Sequence, residues 1–366
     1  MKNRHLAGLF LIVSSTSAFS QSSVTLYGLT DANIRYMTNA SADGKSILEM
    51  GTGGLSESRI GINGLEDLGQ GLLAIFRIEN RFFSNSGQAD PALPFWNTAF
   101  VGLRSATLGQ LTLGRQTNTL VDTVTRAYAS NPWIPYANSF QPELTLTAGI
   151  WTSNLAKYIM RLDNVFAEAS YAFGGDAGHT SYGSQMAFGL GWLPGGPINL
   201  AAAYSLTRDS TNGSLAKIWT AGGSYKWDAT QFHTGYYENR LDAGFSSFLN
   251  GPFTQQELTA LKYLDFSSRR MMTAGVTQSL GTAWHLSFNY WRTWQSGKTS
   301  SLDGSASQFQ FVTDYNLSRR TDVYLESDYG LYRQDLIGAQ LQGANALGSA
   351  PKSTQLGGTV GLRHQF

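Results

Sequence analysis

The chain of 366 residues contains no cysteine. That absence removes disulfide frameworks, thiolate metal sites and cysteine nucleophiles together. Charge is also scarce, at 14% of residues against 13% aromatic. A chain this aromatic is not disordered, and 40 glycines are too many for a helical bundle. Beyond the N-terminus no stretch holds eighteen consecutive apolar residues, so no membrane-crossing helix is predicted. Recognisable catalytic spacing is missing as well. His179, His233, His285 and His364 lie in no nucleophile or base motif. No histidine or carboxylate cluster has metal-ligand spacing, and the pairs Gly174-Gly175 and Gly357-Gly358 lack the strand-to-helix setting of a phosphate loop. The residues therefore predict no enzyme, no metal and no cofactor.

What is present begins with a targeting segment. Lys2 and Arg4 precede a short apolar run, residues 6–13, and small residues follow, with Ala18 and Ser20 at the positions that matter for cleavage. This is the pattern of a secretory signal peptide over residues 1–20, cut between Ser20 and Gln21. Its removal takes two cations from a formal charge of +1 and leaves a mature charge of −1. With no basic excess, no nucleic-acid partner is expected. Two exported classes remain: a secreted soluble β-protein such as a sandwich adhesin, and an outer-membrane barrel whose apolar residues are diluted one in two.

Period-two alternation runs through residues 21–366. Val24, Leu26, Gly28, Thr30, Ala32 and Ile34 share one face, while Tyr27, Asp31, Asn33 and Arg35 share the other. Residues 38–54 read as a polar loop. Residues 58–83 form the clearest hairpin: Phe76 and Ile78 fall on one side of the return strand, Arg77, Glu79 and Arg81 on the other. Three charges at alternate positions cannot sit in a dry core and need water on that face. Short turns and long polar loops then take turns along the chain, through strand pairs near 98–116, 155–173, 185–206, 217–239, 270–294 and 308–331. The final strand, residues 354–366, alternates to a terminal aromatic, Phe366. Counting gives about sixteen strands. The predicted fold is all-β, a 16-stranded antiparallel transmembrane β-barrel with short periplasmic turns and long extracellular loops. The longest segment without alternation is 117–153. A second loop, near 246–268, carries a helix-start signature in Thr254 and Glu257 with Phe253 and Leu258 as a staple, and a short helix is predicted there.

Several motifs in fixed order resemble the general diffusion porins of Gram-negative outer membranes, of the betaproteobacterial type. They are Ser22-Ser23-Val24-Thr25-Leu26-Tyr27-Gly28, Ser58-Arg59-Ile60-Gly61, Gly64-Leu65-Glu66-Asp67-Leu68-Gly69, Phe100-Val101-Gly102-Leu103, Leu113-Gly114-Arg115-Gln116 and Gly361-Leu362-Arg363-His364-Gln365-Phe366. The resemblance implies a homotrimer, an infolded third loop over 117–153 that constricts the pore, and recognition of Phe366 by the insertion machinery. It also implies a trimer interface on small outward residues such as Gly28, Ala32 and Gly358.

A passive pore selects by diameter and by the charges along its narrow zone. Strand parity turns Arg59, Arg77, Glu79 and Arg81 toward the lumen, together with Asp31, Glu168, Glu326 and Asp328. Porins that this chain resembles set a basic wall against acids on the infolded loop, which makes Asp122 and Glu143 the opposing candidates. Arg115 is harder, because parity puts it with Leu111 and Leu113 toward lipid. A bulge at Gly114 would turn it inward, in keeping with the resemblance, and an inward Arg115 is expected. The predicted function is a water-filled outer-membrane channel for small hydrophilic solutes and ions, with lipid and lipopolysaccharide around it. The alternative is a substrate-selective channel for sugars or carboxylates, with Trp133, Tyr136 and Phe140 as a binding platform.

Overall fold

A computed structural model describes residues 22–366 apart from 42, 92, 130–139, 148, 252–254 and 342–351. The signal segment with Ser20 and Gln21 lies outside the described residues, as do Trp133, Tyr136, Phe253 and Thr254.

The strands are β1 (Ser23–Met37), β2 (Ile47–Thr52), β3 (Arg59–Gly69), β4 (Leu72–Arg81), β5 (Thr98–Ser105), β6 (Gly109–Thr117), β7 (Trp151–Leu162), β8 (Val165–Ala172) and β9 (Gln185–Trp192). They continue as β10 (Ile198–Arg208), β11 (Leu215–Trp227), β12 (Thr230–Leu241), β13 (Phe266–Leu280), β14 (Trp284–Gly297), β15 (Gly304–Asn316), β16 (Thr321–Gln334) and β17 (Thr354–Gln365). Helix α1 (Thr119–Ala127) follows β6, and α2 (Gln255–Ala260) stands between β12 and β13, in the loop where the sequence predicted a short helix. Chain neighbours pair antiparallel except β2 and β3, and β17 returns to β1 with Leu29 opposite Gln365 and Met37 opposite Gly357. Closure leaves no open edge, so no backbone donor or acceptor is stranded in lipid.

Seventeen strands fill sixteen positions. β1 pairs with β3 from Ser23 to Leu29 and with β2 from Ala32 to Met37, so β2 and β3 share one lane. The reading of 38–54 as loop is thereby corrected. Leu48 and Met50 of β2 point outward opposite Tyr36 and Ile34, a short alternation that the surrounding glycines and polar residues hide in the sequence. Seven turns at one end span only two to five residues each.

The outward rows are aliphatic and bare: Leu26, Val101, Leu103, Leu113, Leu190, Leu200 and Val360 are among the many exposed apolar side chains. The inward rows are polar and covered, including Asp31, Glu79, Thr112, Thr220, Asn289, Gln310 and Glu326. This is the reverse of a soluble sandwich, whose aliphatic rows face each other. Phe366 secures the seam. Its backbone exchanges bonds of 3.1 and 3.0 Å with Gly28, and a Cβ at Gly28 would meet its ring at 2.4 Å.

Between β2 and β3 the chain turns into the barrel. The Asp31 carboxylate accepts the N–H groups of Gly54 (3.2 Å), Leu55 (3.0 Å) and Ser56 (2.9 Å), and the Tyr324 hydroxyl at 2.5 Å. Leu55, fully buried, packs on Val312 and Tyr324. Removing the carboxylate strands four donors. Asp31→Ala is therefore expected to cost about 3 kcal/mol, read as a lower urea midpoint of the detergent-folded barrel. An unchanged midpoint would show that residues 53–58 are held by something else.

Candidate functional site in the constricted lumen

The interior carries an open cavity of about 1020 Å3 between the β1–β7 wall and α1. Its lining includes Arg59, Arg77, Glu79, Arg81 and Asp122, which the sequence had singled out, and also Arg104, Arg126, Lys157, Arg161 and Arg363, which it had not.

One wall of the cavity is the loop 117–153, and its placement follows from its own residues. Asn118 caps α1 through Val121 N–H at 2.9 Å, and its amide donates to the carbonyls of Thr147 (3.0 Å) and Gly149 (2.7 Å), drawing the two ends of the loop together. The helix is two-faced. Thr119, Leu120, Thr123, Val124 and Ala127 bury against the inward rows of β8 to β11, while Asp122 and Arg126, one turn apart, reach the cavity. Tyr128 then lies flat on the wall: a Cβ at Gly222 or Gly235 would meet its ring at 2.6 or 2.9 Å, and its hydroxyl pairs with Thr220 at 2.7 Å. Inward glycines thus make the bed on which the loop rests.

The far part of the loop is fastened to the opposite wall. Glu143 lies in a 3-10 turn, Pro142–Leu146, and accepts the Trp291 indole N–H at 2.7 Å; both side chains are buried. Glu143 therefore does not line the cavity, which corrects its expected role as an opposing charge. It sits at the edge of the pore as an anchor. Phe140, the one described aromatic of the suggested binding platform, is likewise buried, edge-on to Trp291 at 5.7 Å.

Arg115 is also not brought into the cavity. It stands opposite Ala99, in the outward row with Leu111, Leu113, Val101 and Leu103. A register shift is present beside Gly114, but β7 takes up the extra residue, where Asn154 has φ 52°. The parity of β6 is unbroken, and Arg115 stays outside. Its guanidinium donates to the Asn97 carbonyl (3.1 Å) and the Ser153 hydroxyl (2.6 Å), which satisfies it near the end of the strand.

Charges in the cavity are arranged unequally. Arg77 donates to the Tyr27 hydroxyl at 2.6 Å and to Glu79 at 2.8 Å, and Tyr27 donates to Glu79 at 2.9 Å. Arg81 pairs with Glu57 and lies 4.2 Å over the Trp151 ring. Lys157 meets Asp122 at 2.5 Å, and Arg126 reaches Glu168 at 3.5 Å. Burial pushes the Asp122 carboxyl up, but Lys157 and Arg126 beside it outweigh burial and hold it below the usual carboxylate range. The remaining inward acids are locked away: Asp31 on backbone N–H groups, Glu326 and Asp328 on Arg35 at 3.0 and 2.7 Å. Glu168 and Glu326 are 0% exposed at the side chain, whereas 39% of Arg77 and 22% of Arg126 remain open. In the Arg77–Glu79 and Arg126–Glu168 pairs the acid is withdrawn and the cation reaches the water, whereas Arg81 and Lys157 are buried with their partners.

Comparison with known proteins gives a consistent picture. A family model described as Gram-negative porin matches residues 7–335. Outer membrane porin protein 32 of Delftia acidovorans is 28% identical over 371 residues, covering 99% of both chains. An outer membrane porin protein of Bordetella pertussis is 27% identical over 422 residues, covering 100% of both. Among solved structures, the anion-selective porin from Comamonas acidovorans superposes with a TM-score of 0.70 at 24% identity, over 94% of this chain and 100% of that one. OmpT of Vibrio cholerae, in its trimer form, gives 0.66 at 16% identity, over 94% and 99%. At such identities the two structures speak for the fold alone.

The glycine bed has a directional consequence. In Gly235→Val the added side chain must lift Tyr128 and push α1 toward the cavity, and conductance through the lumen is expected to fall. Adding Tyr128→Ala is expected to restore it. A single variant that conducts like the parent would contradict this packing.

Proposed function

This chain belongs to the Gram-negative porin family of outer-membrane channels, which are not enzymes, and we propose that its lumen passes small anions more readily than cations. The observation that supports this reading is the unequal presentation of charge. Eight cations line the cavity, Arg59, Arg77, Arg81, Arg104, Arg126, Lys157, Arg161 and Arg363, against Glu79 and Asp122. Counting the buried partners Glu57, Glu168 and Asp322 as well, cations still exceed acids by three. A low-dielectric wall focuses such an excess on the solution in the pore, raising the local concentration of anions. The anion-selective porin from Comamonas acidovorans, with the same fold, agrees with this sign.

On this reading no solute is bound tightly or transformed. Arg59, Arg77, Arg81 and Glu79 form one side of the constriction, and Asp122 with Arg126 the other. Asp122 does not oppose the basic wall as a bare acid. Paired to Lys157, it orients α1 and leaves Arg126 to contribute positive potential. The constriction loop spans 117–153, and its anchors at Tyr128 and Glu143 fix the diameter.

We further infer a homotrimer, built on the outward arc of β17, β1 and β2, where Ile34, Tyr36, Leu48, Met50 and Val360 are bare. Gly28 is not available to a neighbouring subunit, because the chain's own Phe366 covers it. Gly358, with open space before it, is. Lipid and lipopolysaccharide cover the rest of the belt, export uses residues 1–20 with cleavage between Ser20 and Gln21, and Phe366 serves as the insertion signal.

The sign of selectivity is tested by the reversal potential of planar-bilayer channels in a potassium chloride gradient. The parent is expected to favour chloride, more strongly in dilute salt, where screening is weaker. Arg59→Glu with Arg77→Glu is expected to reduce or invert the ratio. Cation preference in the parent, or a ratio unmoved by both changes, would overturn the assignment.

A further inference from the structure

The polar character of the inward rows fails on β9, β10 and β11. Their inward positions include Ala187, Ala203, Ala216 and Ile218, all buried. Apolar side chains facing a water-filled space gain nothing unless something covers them. The cover is the loop 242–265, which carries α2. Its Leu258, Leu261 and Tyr263 pack on that floor, and Leu120 of α1 belongs to the same cluster. The helix at the constriction is thus roofed by a second loop turned into the barrel.

Two devices hold this roof. Arg269, inward on β13 between Asn239 and Gln295, is 0% exposed. Its Nε donates to the Gln295 amide oxygen at 3.0 Å, and its Nη2 to the carbonyls of Leu261 (2.9 Å) and Lys262 (3.0 Å), just past α2. All these acceptors are uncharged, and Nη1 has no partner among the described residues. A buried cation with only neutral acceptors is destabilising in itself. What it achieves is to fix the end of α2 at one height in the barrel, with the guanidinium 4.5 Å over the Phe266 ring. The second device reaches the constriction loop. The Tyr263 hydroxyl pairs with the Asn239 amide, and with its oxygen turned to that hydroxyl Asn239 donates to the Leu146 carbonyl at 2.9 Å. Leu120 lies near one end of the segment 117–153 and Leu146 near the other, so the roof touches it twice. On its far side the Ala260 carbonyl accepts the Gln340 N–H at 2.9 Å, and Lys262 meets Asp335 at 3.0 Å.

We propose that the loop 242–265 is a second constriction element, with Arg269 as its positioning residue. It keeps α1 seated on the inward rows of β9 to β11 and so sets the size limit of the lumen, barring bulky uncharged solutes such as oligosaccharides. Released from Arg269, the loop would uncover Leu120 and the alanine floor, and α1 would lose one of its supports. The proposal rests on the reading of 117–153 as the constriction. It is independent of the ion preference, because Arg269 lines no part of the charged cavity.

The test uses the full-length folded protein in liposomes, with swelling in an isotonic solution of raffinose, an uncharged trisaccharide, as the readout. Arg269→Gln is expected to raise the swelling rate severalfold over the parent, while the sign of the ion preference stays the parent's. Ala260→Cys with Gln340→Cys, joined by a short thiol crosslinker in the Arg269→Gln background, is expected to return the rate to the parent's. A loss of barrel stability alone would not be reversed in that way. Should Arg269→Gln fail to fold, Leu258→Ser, which lies outside the strands, is expected to give the same rise. Tyr128→Ala, measured alongside, loosens the constriction loop directly. A rise in Tyr128→Ala with none in the folded Arg269→Gln or Leu258→Ser variants, or a raised rate that the crosslink leaves unchanged, would overturn this proposal alone. No rise in any of the three would overturn the constriction reading with it.

Discussion

A backbone that crosses hydrocarbon has to pair every N–H and C=O within itself. For strands, that means a ring, and the pairing of β17 with β1 is where the ring shuts. Once it is shut, the two faces of each strand belong to different solvents. Aliphatic rows go outward because lipid is there, and polar rows go inward because the space they enclose holds water. Gly28 beneath the Phe366 ring shows how closely the seam is packed. The position of each lumenal charge follows from this division.

Inside, the division creates a second problem, since charges facing a narrow space still have to be desolvated in part. The barrel handles acids and bases differently. Carboxylates are short and accept hydrogen bonds, so they are drawn back into the wall, where Asp31 holds a turn of backbone and Glu326 and Asp328 hold Arg35. Arginines are long and keep donors to spare after pairing, and Arg77 and Arg126 leave part of their side chains in the water, while Arg35, Arg81 and Arg363 are buried with their partners. The infolded loop uses the same materials. It rests on glycines, is tied at Tyr128 and Glu143, and spends Asp122 on Lys157.

Much of this was legible in the sequence. Period two gave the strands, the faces and the sixteen positions, because a side chain's destination in a barrel depends on parity more than on distant partners. Arg59, Arg77, Glu79 and Arg81 fell on the cavity for that reason. Residues outside regular strands were another matter. β2 was hidden by glycines, and its place beside β1 depends on the inward turn that Asp31 holds. Glu143 was identified as a loop acid, but its partner Trp291 lies 148 residues away in sequence, and no local pattern links them. Arg115 was turned the wrong way by assigning the bulge to Gly114, when β7 carried it at Asn154. Arg126 stands one helical turn from Asp122 on α1. Recognising it needed the 3.6-residue period inside a segment judged to be loop.

The alternation itself is open to direct measurement, and the absence of native cysteine makes it clean. Cysteine placed singly at each position from 98 to 104, in protein reconstituted into vesicles, can be probed with a charged, water-soluble thiol reagent. Phe100→Cys and Arg104→Cys should react through the lumen, while Val101→Cys and Leu103→Cys should be silent to it and quenched by a lipid-borne nitroxide. Reactivity without a two-residue period, or with its phase reversed, would contradict a water-filled barrel with its aliphatic rows in lipid.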